Sequence, residues 1–123
     1  MAEGSEAAAE GVLFLNEAAF QAFLTDAVEI RTAAKHSAIL AASDAGRVMF
    51  VTHSVNLAGI DLFFEQDDVA NSITVRCAVK TKERLRAEIP ALVGCGTALM
   101  SMAGRLMVMD RELKISELRI VKK

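Results

Sequence analysis

The sequence predicts an α+β layer fold in a single domain. Three observations carry that prediction. Residues 57–65 and 72–80 alternate apolar and polar side chains, the period of half-buried strands. Residues 27–42 and the stretch beginning near Pro90 repeat apolar residues at helical spacing. The order along the chain is strand, helix, helix, strand, strand, helix, strand, which segregates helices to one side of an antiparallel sheet.

Residues 1–5 are expected to be loose, and residues 6–123 to form the domain. The run EAAAEGVLFL at 6–15 ends in apolar residues that suit a strand. Asn16 is placed to cap a short helix, EAAFQAFL, because its side-chain oxygen accepts from free backbone N–H groups. Asp26 and Glu29 have the spacing of a capping box for the next helix. That helix, about 27–42, carries Ala27, Ile30, Ala34, Ala38 and Ala41 on one face, with Arg31 and Lys35 elsewhere, one turn apart. Asp44-Ala45-Gly46 ends it.

Residues 47–56 read as an extended loop holding His53. In the strand that follows, Ala58, Ile60, Leu62 and Phe64 face one way, and Gly59, Asp61, Phe63 and Glu65 the other. Gln66–Asn71 supplies a turn. Ile73, Val75, Cys77 and Val79 point inward from the next strand, which pairs with the first as an antiparallel hairpin. After the basic segment KTKERLR, Pro90 suits the first turn of a long helix, where no N–H is needed. Leu92, Cys95, Leu99, Met102 and Leu106 form its core stripe. Gly94, Thr97, Ser101 and Gly104 form a neighbouring stripe of small residues, against which another helix or a subunit is expected. Residues 113–122 make a last strand whose apolar phase slips near Ser116, the mark of a bulge.

Composition narrows the function classes. The chain has 123 residues, 53% of them hydrophobic, and a formal net charge of −2. The apolar excess points to self-association. An acidic balance, with no Trp or Tyr, argues against nucleic-acid binding. Cys77 and Cys95 make no Cys/His cluster, so no metal site is expected, and no cofactor. The acidic start MAEGSEAAAEG lacks an apolar signal core. The apolar run 89–104 contains Pro90 and three glycines and is too short for a bilayer. The expected location is the cytoplasm.

Several stretches taken in order resemble the cyclic pyranopterin monophosphate synthase family of molybdenum cofactor biosynthesis. EAAAEG with VLFLN is similar to the family's opening strand and cap, and EIRTAAKHSAILAA to its long helix. THSV stands in the place of a Cys-His-Pro-Leu motif, and AGIDLFFE in that of the strand after it. AEIPAL resembles a Glu-Met-Glu-Ala motif, and MDRELKISELRIVKK the family's ending. The resemblance implies a ferredoxin-like fold. It also implies a homohexamer, a trimer of dimers with sites between subunits. The implied reaction rearranges a cyclised dihydro-GTP with loss of pyrophosphate.

That reaction needs cations beside phosphate and groups that move protons. The matching positions depart from the family pattern. A Lys and an Arg near the end of the first long helix are Ser43 and Asp44 here. An Asp and a Lys on the last helix are Gly104 and Met107, and the second Glu of Glu-Met-Glu is Pro90. Neither glycine nor a thioether carries a proton at neutral pH. No catalytic residue is therefore assigned. His53, Glu88, Arg84 and Lys35 keep positions that imply ligand contact. Each has a plainer alternative: His53 satisfying loop backbone groups, Glu88 favoured by the helix dipole, the basic segment a solvated face. Three readings follow. The first is a non-catalytic relative, binding a GTP-derived pterin or serving as a scaffold. The second is an active synthase with a rearranged site. The third is an inactive subunit paired with a catalytic paralogue.

Overall fold

The computed structural model describes residues 5–45, 57–82 and 87–122. Its elements are β1 (Ser5–Phe14), α1 (Glu17–Thr25), α2 (Ala27–Ser43), β2 (Leu57–Asp67), β3 (Ser72–Thr81), α3 (Glu88–Leu106) and β4 (Lys114–Lys122). The strands form one antiparallel sheet in the order β2-β3-β1-β4. With a helix in each crossover, this is the ferredoxin-like arrangement.

One face of the sheet carries the core. Ala7, Ala9 and Leu13 of β1 and Ile73, Val75, Cys77 and Val79 of β3 are buried under the helices. On α3 the residues Cys95, Leu99, Met102 and Leu106 meet them, and Leu92 is partly buried. Burial of each large side chain is worth about 1.5–3 kcal/mol. Small residues in β1 let α3 lie close. A Cβ on Gly11 would come 2.6 Å from Leu99 Cδ1.

Asn16 caps α1 as its sequence position predicts: its Oδ1 accepts from the Ala19 N–H at 2.8 Å. The Asp26–Glu29 capping box does not form. Asp26 makes no side-chain cap bond. It is a one-residue hinge, its N–H bonded to Ala22 and its carbonyl to Ile30. Its backbone, at φ −117° and ψ 30°, is neither helical nor the extended form a capping residue takes. The buried line of α2 is Ile30, Ala34, Ala38 and Ala42, so Ala42 replaces the expected Ala41, and Ala27 is only partly buried. Four-residue spacing follows the ridge that faces α3.

The strands carry bulges. In β2 the register shifts between Leu57 and Gly59. Ala58 is therefore exposed and lines a concavity on the sheet's far face with Gly59, Asp61 and Phe63, against the simple alternation. In β4 two residues, Glu117 and Leu118, oppose Gly11, and Glu117 adopts φ 57°. The slip expected near Ser116 is this bulge, and the left-handed backbone costs about 1 kcal/mol. A second bulge sits at Val121.

Candidate functional site

The described candidate residues distribute along the α2–α3 pair. α2 and α3 run antiparallel. A Cβ on Gly94 would touch Ala42 Cβ at 3.5 Å and the Ala38 carbonyl at 3.6 Å, while Arg105 shares a surface groove with Glu29 and Thr32. Ser43, Asp44 and Glu88 therefore lie at one end of the pair, and Gly104 and Met107 at the other. Glu88 and Met107 are 19 residues apart on one helix, about 28 Å at 1.5 Å per residue. Among the described residues no single pocket holds both. A site that used both ends would need a second copy.

At the first end, Ser43 Oγ donates to the Ile39 carbonyl at 2.9 Å. That bond turns the hydroxyl back onto its own helix. Asp44 is exposed and closes α2, its N–H bonded to the Leu40 and Ala41 carbonyls. Glu88 is half-buried in the first turn of α3, where the dipole favours a carboxylate. Pro90 is buried two residues later. Lys35 is exposed midway along α2. Its neighbour His36 lines the shallow groove that contains Arg105. His53 and Arg84 lie outside the described residues.

At the other end the surface is apolar. Met107 is 48% exposed, and Met100, Val108 and Met109 are exposed too. Among the described residues, nothing lies within 4 Å of a Cβ added at Gly104. The small stripe on α3 is thus two things. At Gly94 it is the contact with α2; at Gly104 it is open to solvent.

This end is nonetheless firmly held. Asp110 Oδ2 accepts from the Asn16 N–H at 2.7 Å, and Oδ1 from the Glu112 N–H at 2.9 Å. Asn16 Nδ2 donates to the Met109 carbonyl at 3.0 Å. One buried carboxylate thereby joins the α3–β4 turn to the start of α1. The turn pattern MDRE is visible in the sequence, but its partner 94 residues away is not.

The two thiols offer no nucleophile. Burial raises Cys77 from the ordinary 9.0 to about 12, with the Asp61 charge adding to it. Burial does the same to Cys95, helped by Cys77 and Glu10. Cys95 donates to the Val75 carbonyl at 3.4 Å.

Fold and site thus define an α+β protein of the two-layer, ferredoxin-like type, with Ser43, Asp44 and Glu88 at one end of a helix pair and Gly104 and Met107 at the other. Residues 2–123 match the model of the MoaC family, and the chain belongs to that family. It is 25% identical over 95 residues to a cyclic pyranopterin monophosphate synthase of Heliobacterium modesticaldum, covering 77% of this chain and 60% of that protein. A synthase of Bordetella pertussis is 26% identical over 92 residues, covering 75% and 57%. One of Natranaerobius thermophilus is 26% identical over 120 residues, covering 95% and 76%. The match thus spans about three fifths of the length of the first two relatives. Molybdenum cofactor biosynthesis is the setting of the family.

Proposed function

We propose that this chain is a non-catalytic, cytoplasmic member of the MoaC family, an oligomeric ligand-binding or scaffold protein. The observation that carries the reading is the open Gly104 beside Met107. Resemblance to the synthases puts a proton-moving Asp and Lys at these positions. Space for a side chain at 104 is free among the described residues, so their packing does not demand glycine. Loss of one general acid or base typically costs ~10²–10⁴-fold in rate. Ser43, bonded to its own helix, replaces a phosphate-binding cation with a neutral group. His53, Arg84, Glu88 and Lys35 are the proposed contacts to a GTP-derived pterin.

The test is an equilibrium titration of purified protein with GTP and with a pterin, with product analysis of the same samples. Binding without pyrophosphate release, weakened about tenfold or more by His53→Ala, is the expected result. Absence of binding by either compound removes the ligand and leaves the scaffold.

The second reading, an active synthase with a rearranged site, is favoured by the synthase names of the relatives. It uses His53, Glu88 and the basic segment 80–86. Pyrophosphate release abolished by His53→Ala would establish it. Co-purification with a longer, catalytic paralogue would instead support the inactive-subunit reading.

A further inference from the structure

The outer surface of the helix layer carries a groove that none of the proposed pterin contacts lines. It runs between α2 and the last turns of α3 and has a volume of about 510 Å³. Its lining is Glu29, Thr32, Ala33, His36, Ser37 and Arg105. The α2 members follow from helical periodicity, because residues three or four apart share a face. Ala33 and Ser37 are half-buried and form the floor. Glu29, Thr32, His36 and Arg105 are exposed and form the walls.

The polar groups of this groove are not satisfied by one another. Among the described residues, the side chains of Glu29, His36 and Arg105 make no hydrogen bond or ion pair. That Glu29 and Arg105 share a groove without pairing has a geometric cause. Ala38 and Ala42 bracket the level of Gly94. Arg105 lies eleven residues further along α3, which brings its backbone near the level of Glu29 on the antiparallel α2. Side chains lean toward the N-terminus of their own helix. Arg105 therefore leans along α3 toward Thr32 and His36. Glu29 leans the opposite way, toward the start of α2. His36 leans back toward Thr32. Arginine and imidazole thus converge from two helices on the level of Thr32 and Ala33. The hydroxyls fit this arrangement. Thr25 and Ser43 turn theirs onto the carbonyl one turn back, at 3.0 and 2.9 Å. Thr32 and Ser37 make no such bond among the described residues, so their hydroxyls are open to the groove.

We propose that this groove is a phosphate-binding site, taking inorganic phosphate or the phosphate of a small phosphomonoester. The planar fork of Arg105 holds two phosphate oxygens. An imidazole N–H of His36 reaches a third, and the hydroxyls of Thr32 and Ser37 donate to the oxygens nearest the floor. These donors arrive from two helices and from below, not in one plane. A tetrahedral anion meets such a set on several sides, whereas a carboxylate offers two oxygens in a plane. The site lies outside the proposed pterin contacts, and it stands whether or not the chain turns over substrate.

Glu29 opposes the anion without closing the site. A carboxylate about 10 Å away in water weakens the binding of a mono- or dianion by a factor of about two to four. The wet, open walls keep the affinity modest as well. A phosphate held here also links the first half of α2 to the last turn of α3. It binds the folded chain and not the unfolded one, so it raises the melting temperature by mass action.

The test follows the imidazole Cε1–H resonances of the full chain by NMR while inorganic phosphate is added at constant ionic strength. Glycerol 3-phosphate and acetate are parallel arms. The chain has two histidines, so His36→Ala deletes one signal and assigns it. The expected result is a saturable shift of the His36 signal with phosphate, with the ester or with both, at millimolar concentration, the tighter arm naming the source. Arg105→Met should weaken binding ~tenfold or more. Arg105→Lys should weaken it less, because the charge stays and the fork is lost. Glu29→Gln should tighten it about two- to fourfold. The phosphate-dependent rise in melting temperature, lost in His36→Ala, repeats the test should the Arg105→Met chain fail to fold. A His36 signal that moves without saturating in both phosphate arms overturns the site. So does saturable binding that Arg105→Met and His36→Ala leave unchanged. An acetate response as strong as that of phosphate overturns the tetrahedral assignment.

Discussion

The two ends of α3 obey different rules. Toward its start, Pro90, Ala91, Gly94, Cys95 and Gly96 are all buried. A Cβ on Gly94 would lie 2.8 Å from Cys77 Sγ. Residue choice there is dictated by what the helix touches. In its last turns Gly104 has free space, and Met100, Met107, Val108 and Met109 face solvent. Packing among the described residues accounts for none of those choices. The contrast separates positions that packing fixes from positions it leaves open. Positions that touch the core cannot drift without cost, and positions at the rim can.

The alkaline limit of stability reads the packed end most strongly. Both thiols have folded pKa values raised from 9.0 to about 12. Below pH 9 the thiols are neutral in both folded and unfolded chains, and their contribution is intact. Between 9 and 12 the unfolded thiols ionise and the folded ones do not. Stability then falls by up to about 1.4 kcal/mol per pH unit for each thiol. Urea titrations from pH 8 to 11 should show that slope, flattened in a Cys77→Ala/Cys95→Ala variant. The contrast fails if the slope is the same in both.

Gly94→Val should cost about 2–3 kcal/mol, as overpacking against Cys77 and α2. A loss below half that would mean α2 yields easily and the packed end is no tighter than the open one. Asp110→Ala should cost about 1–3 kcal/mol, because two backbone donors lose their acceptor. A calorimetric melt measures it. No change would show that the open end is not anchored through Asn16. Gly104→Ala should raise stability by about 0.4–1 kcal/mol, the gain of filling a permissive helical glycine. A destabilised Gly104→Ala would reveal a contact at that site. Met107→Lys is the smallest change, within about 0.5 kcal/mol, because an exposed apolar residue becomes an exposed polar one.

Much of this architecture was legible in the sequence. Alternation at 72–80, the Asn16 cap, Pro90 in a first turn and the α3 core stripe all announce themselves in residue types at fixed spacing. The bulges at Ala58 and Val121 did not, since an extra residue leaves no chemical trace when its neighbours are small or branched. The failed cap at Asp26 was illegible for another reason: a capping residue typically takes extended backbone, and Asp26, joining two helices, sits at φ −117° and ψ 30°. Asp110 found its partner 94 residues away, beyond any local pattern. For the candidate site, residue types gave the substitutions at Ser43, Gly104 and Met107. They could not say that these lie at opposite ends of the helix pair, because that depends on α2 and α3 running antiparallel.

The proposed function requires that the chemistry be gone while the scaffold remains. The direct test is the rate at which the purified protein converts cyclised dihydro-GTP, measured beside a family synthase in the same assay. The predicted rate is at least ~10⁴-fold lower, the upper end of what one missing general acid or base removes. A rate within tenfold of the synthase would contradict the claim.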